Sequence, residues 1–157
     1  MGPVARRPVA WVAAIVLIAE ALGIALLNWF LGLVVDHQDM SLAGLDPRAM
    51  TIGAWIAGGV FGVYLLVCAV VLLRTAIRDR GPGLVGRILL ISVAVVHGLL
   101  GAFVIGPAGW LAFLAMMVVL ALIVLTLVAY DRRESGAAGA PPAAPQGPAS
   151  SPEPTTP

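Results

Sequence analysis

The sequence predicts an all-α protein, a membrane-embedded four-helix bundle followed by a disordered C-terminal tail. Three observations predict it. First, the 157 residues are 61% hydrophobic and only 11% charged, where a soluble domain runs at roughly 45–50% and about 25%. That leaves too little polar surface to cover a water-soluble globule. Second, the apolar residues gather in four stretches, each close to the roughly 20 residues a helix needs to cross a hydrocarbon core. Third, the charges avoid those stretches, with Glu20 as the one exception when the third stretch is counted from Ile88.

The spans fall at about 9–35, 49–73, 84–105 and 110–130 within a transmembrane domain of residues 1–134. The third is short if counted from Ile88. Leu84, Val85 and a snorkelling Arg87 extend it. Asp46 and Pro47 read as an N-cap followed by proline at the first helical position of the second helix. That helix is expected to reach about Arg80, where Gly81 and Pro82 stop it. Gly106, Pro107, Ala108 and Gly109 predict a tight turn, making helices three and four an antiparallel hairpin.

The basic residues, all arginine, set the direction. Arg6, Arg7, Arg74, Arg78, Arg80, Arg87, Arg132 and Arg133 lie on one side of the predicted membrane, and only Arg48 on the other. The positive-inside rule then places both termini in the cytoplasm and the protein in the cell (plasma) membrane as a multi-pass chain. Trp11 and Tyr130 fall at inner ends and Trp29, Trp55 and Trp110 at outer ends, where amphipathic rings prefer to sit. The first span exceeds the about 7–15 residues of a signal-peptide core, so it is expected to stay as an anchor.

Composition also excludes functions. A net charge of +1 argues against nucleic acid as a partner. One cysteine, Cys68, rules out an internal disulfide and a multi-cysteine metal site. No metalloprotease signature is present, and no serine has a basic partner at its depth. Asp36, His37 and Asp39 cluster in the outer connection, but their spacing matches no metal motif. An accessory or scaffold bundle without enzyme activity, cofactor or metal is expected.

The tail over 135–157 is rich in proline, alanine and glycine, and such a segment buries too little apolar area to offset its ordering entropy. Its Pro142–Pro145 and Pro145–Pro148 spacings are formal PxxP matches, which a partner domain would recognise.

Two ladders of small residues provide candidate packing faces: Ala54, Gly58 and Gly62 on helix two, and Ala94, Gly98 and Ala102 on helix three. In lipid, helices associate by close packing of such residues. Each ladder either holds this bundle together or mediates a dimer or partner contact. Glu20 and His97 are the candidate functional polar residues. Counting 1.5 Å per residue places them roughly 16 and 15 Å from the inner ends of their helices. Both helices run outward, so the two side chains share a level. A direct pair, separate local satisfaction and a water-lined transport path all fit that depth. Tyr64 lies about 200° around helix two from Gly62 and reads as a packing residue. Cys68, Ser92 and Thr126 are expected to bond their own helix carbonyls, and Asn28 to fix helix one or hold interfacial water.

With its basic start Ala5-Arg6-Arg7, the acid of Ile18-Ala19-Glu20-Ala21-Leu22, the Arg74–Arg87 inner loop and the Pro/Ala-rich tail, the whole chain resembles small four-helix integral membrane proteins of actinobacteria. That resemblance implies no activity. The helix count and Glu20 alone are similar to small multidrug-resistance transporters, which exchange protons for cationic drugs through a glutamate in helix one. The outer connection, the tail and His97 depart from that pattern. The alternative they imply is a small proton-coupled transporter using Glu20, with His97 as relay.

Overall fold

A computed structural model describes residues 6–38, 44 and 46–138. Its helices are α1, Arg6–Gln38, and α2, Pro47–Arg78. The stretch Leu84–Ala138 is helical except at Gly109, whose φ of 77° and ψ of −177° break it. The break separates α3, Leu84–Val104, from α4, Gly109–Arg132; all four helices are long and apolar enough to cross a membrane. No strand occurs among the described residues.

Local chemistry sets the ends. Asp46, in an extended conformation, accepts a hydrogen bond from the Arg48 amide at 2.8 Å, and Pro47 opens the helix. This satisfies one of the amides that have no partner in a first helical turn. The other end of α2 corrects the expectation: the helix stops at Arg78, because Asp79 takes the left-handed conformation with φ 48°. Aspartate tolerates that region better than most side chains, so the stop comes before Gly81. α1 runs three residues past 35, to Gln38, with the His37 ring donating through Nδ1 to the Leu33 carbonyl at 2.9 Å.

The reversal between α3 and α4 is narrower than the expected four-residue turn, since only Gly109 leaves helical geometry. Glycine adopts its positive φ without the Cβ clash that other residues meet. Helical backbone also continues through residues 135–138, beyond the expected limit of the transmembrane domain. The rest of the predicted disordered tail, 139–157, lies outside the described residues.

α1 and α2 pack antiparallel along their length at close range. A methyl at Gly62 would sit 3.3 Å from the Ala21 carbonyl oxygen, and one at Gly58 would overlap Asn28. Gly32 makes the reciprocal opening on α1, where the Trp55 indole fills the space a side chain would need. Ala54, the third member of the α2 ladder, is half-buried. The Trp55 indole N–H donates to the Trp29 carbonyl at 3.2 Å, and the Thr51 hydroxyl lies 3.2 Å from the Gly32 carbonyl.

The core sits where α3 and α4 close on this pair. Leu17, Leu65, Leu72, Leu90, Val93 and Ile123 are fully buried there. The α3 ladder does not supply the seam. Ala94 is buried, but a methyl at Gly98 would meet nothing within 4 Å and Ala102 is exposed. Gly101 does the work instead: its missing side chain admits Met117, whose Cε would stand 2.6 Å from an added Cβ.

Candidate functional site

α1 and α3 run in the same direction, with Leu17 and Ala21 of α1 and Val93 and Ala94 of α3 buried between the helices. Small and medium side chains at this level let the two backbones approach. Glu20 and His97 extend across the seam: Glu20 Oε2 lies 3.0 Å from His97 Nε2. The His97 side chain is 3% exposed and that of Glu20 17%.

The second ring nitrogen fixes the chemistry. His97 Nδ1 is 2.8 Å from the Val93 carbonyl oxygen. A carbonyl only accepts, so Nδ1 carries a hydrogen and donates it. One further proton is then shared along the Oε2–Nε2 axis. It resides either on the acid, facing a neutral imidazole, or on the ring, facing a carboxylate. The pair is neutral in both arrangements. That matters at membrane depth, where a charged side chain costs about 2.5–3.5 kcal/mol on insertion scales.

A second polar group of contacts lies closer to the arginine-bearing end, between α2 and α3. The Ser92 hydroxyl donates to the Leu89 carbonyl at 2.8 Å, so its oxygen accepts from the Tyr64 hydroxyl at 2.7 Å. The Cys68 thiol points at the same Leu89 carbonyl from 3.8 Å. Tyr64 is therefore more than a packing residue, and Cys68 bonds across to α3 and not to its own helix. Ser92, Thr126 and Asn28 bond carbonyls of their own helices, donating to Leu89 at 2.8 Å, Leu122 at 2.7 Å and Ile24 at 2.9 Å. Tyr64 was missed because α2 has two inward faces. Gly58 and Gly62 look toward α1, while Tyr64 looks toward α3.

At the arginine-bearing end the helix termini are tied together. Arg6 pairs with Asp79 at 3.4 Å, and Arg7 donates to the Ala76 carbonyl at 3.2 Å. Arg87 and Asp131 form a two-pronged bridge at 2.9 and 3.1 Å between the start of α3 and the end of α4. Tyr130 lies at this end and is buried there. Its hydroxyl donates to the Thr75 carbonyl at 3.4 Å, and the Arg6 guanidinium carbon lies 6.0 Å from its ring centroid. Arginines that the sequence read as orientation signals also serve as clamps. The acids flanking the spans, Asp79 and Asp131, were the available clue.

Among the described residues no three histidine, cysteine or acidic side chains gather where a metal ion would be held. Asp36 and His37 sit in the last turn of α1, and Asp39 lies outside the described residues. Comparison of the chain with family models, with curated proteins and with solved structures gives no match.

Proposed function

We propose that this chain is a multi-pass plasma-membrane protein with both termini in the cytoplasm. In this reading it acts through helix–helix contacts as an accessory or scaffold bundle, without enzymatic activity. It uses no cofactor and no metal, binds no nucleic acid, and has the lipid bilayer and a membrane-protein partner or second copy as its surroundings. This agrees with the resemblance to small four-helix membrane proteins. The observation that carries the reading is the outward position of the α3 small residues. Gly98 has open space where a side chain would stand, and Ala102 is exposed. Lipid offers helices no hydrophobic effect, so a groove of small residues is the feature that favours close docking.

Cross-linking in native membranes tests it. Gly98→Leu together with Ala102→Leu is expected to abolish a cross-linked species that the parent chain forms. A parent chain that yields no such species, or a variant that yields it undiminished, defeats the reading.

A second reading draws on Glu20. Its side chain keeps 17% exposure while sharing one proton with His97, which suits a small proton-coupled transporter with His97 as relay. Glu20→Gln then abolishes a pH-dependent flux while the chain stays folded. Under the scaffold reading the same change leaves no flux to lose and alters assembly or abundance.

A further inference from the structure

At the arginine-bearing end a cavity of about 370 Å3 opens between the last turns of α2 and the first turn of α3. Arg74, Arg78 and Arg80 line it, with Gly83 and the apolar Val71 and Val85. Its described lining includes no acidic residue. Three arginines therefore contribute to the lining of this space.

The start of α3 adds to that positive lining. Its first backbone bond runs from the Arg87 amide to the Gly83 carbonyl at 2.9 Å, so the amides of Leu84, Val85 and Gly86 precede the intrahelical ladder. Gly83 has no side chain to cap them, and the first turn holds no acidic residue. The positive end of the helix dipole thus faces the same cavity as the arginines. We propose that this cavity binds the phosphate of an anionic phospholipid headgroup. Arginines supply paired donors to phosphate oxygens, and the open amides supply more. The source is lipid and not free phosphate because the cavity lies at the end of the spans, at headgroup level. Its lining also passes into apolar surface, with Leu84 76% and Val85 71% exposed, against which an acyl chain lies. Basic pockets between helices at this depth select anionic lipid. The inference requires membrane insertion and neither of the two functional readings.

Native mass spectrometry of the full chain in neutral detergent, supplied with phosphatidylglycerol or phosphatidylcholine, tests it. One phosphatidylglycerol per chain is expected to stay bound, with roughly tenfold preference over phosphatidylcholine. Arg78→Gln with Arg80→Gln should cut its retention by a similar factor. Gly83→Asp provides a variant that folds well, since it adds an N-cap where a Cβ meets nothing within 4 Å. Its carboxylate takes the place of the phosphate, so lipid is lost while the melting temperature holds or rises. Equal retention of the two lipids overturns the proposal. So does wild-type retention by either variant, or displacement of phosphatidylglycerol by an equal concentration of inorganic phosphate.

Discussion

The bundle contains two kinds of helix interface. Between α1 and α2 the contact is mainly steric, with the Trp55 and Thr51 hydrogen bonds near one end: Gly32, Gly58 and Gly62 remove side chains so that Trp55, Asn28 and the Ala21 carbonyl move in. Between that pair and α3 the contact includes polar bridges: Glu20 with His97, Tyr64 with Ser92, and Cys68 with the Leu89 carbonyl. Both solve the same problem. Lipid chains are as apolar as leucine, so helices gain nothing by hiding apolar surface and associate by packing density or hydrogen bonds. The steric interface has many weak contacts and tolerates no added bulk. The polar interface has few contacts, and cutting the Glu20–His97 pair strands a buried partner.

The largest effect is therefore expected at the polar interface. His97→Leu leaves Glu20 without its partner at membrane depth and should lower stability by about 3 kcal/mol. Unfolding of the chain in mixed micelles, followed by far-UV circular dichroism against increasing dodecyl sulfate, measures it. Removing both partners with Glu20→Leu and His97→Leu should cost less than His97→Leu alone, since no polar group is then stranded. Additive losses would mean that the pair is not coupled.

The steric interface should break next. Gly58→Leu inserts bulk where even a methyl overlaps Asn28, and overpacking of this kind costs about 1–3 kcal/mol. The same micelle titration reads it. A wild-type midpoint would show that α1 and α2 are not packed at this closeness. A glycine outside the seam should respond in the opposite direction. At Gly98 an added methyl meets nothing within 4 Å, so Gly98→Ala should stabilise the helix by roughly 0.5–1 kcal/mol. A loss there would place Gly98 against a neighbour within the chain.

This contrast also explains what could be read from the residues alone. The four helices were legible because hydrophobic length and excluded charge report bilayer thickness directly. The level shared by Glu20 and His97 was legible because helical rise converts residue count into depth, and the structure brings those two side chains to 3.0 Å. Azimuth was not legible. In water, polar residues mark the outward face of a helix, but in lipid both faces are apolar and the periodicity carries no direction. Gly98 and Gly101 are equivalent in composition, yet only Gly101 admits a neighbour, Met117. The left-handed Asp79 was hidden for a different reason, since Gly81 and Pro82 two residues later are the stronger stop signal by residue type.

The smallest effect separates the two interface types most cleanly. Tyr64 contacts α3 through its hydroxyl and neighbours Phe61, at 5.8 Å between ring centroids, through its ring. Tyr64→Phe removes the hydroxyl and keeps the ring, so it subtracts the hydrogen bond from an otherwise unchanged contact. Ser92 keeps its own donor bond to the Leu89 carbonyl at 2.8 Å, so the change strands no donor and the penalty is confined to the lost bridge. Interhelical hydrogen bonds in membranes average about 0.6 kcal/mol, and a loss of that order in the micelle titration is expected. Ser92→Ala should give a larger loss, since it also removes the bond to Leu89 and leaves the Tyr64 hydroxyl without its acceptor, and the double variant should cost less than the sum of the two. If Tyr64→Phe instead costs as much as Gly58→Leu, the α2–α3 contact depends on ring packing as the α1–α2 contact does, and the distinction between the two interfaces collapses.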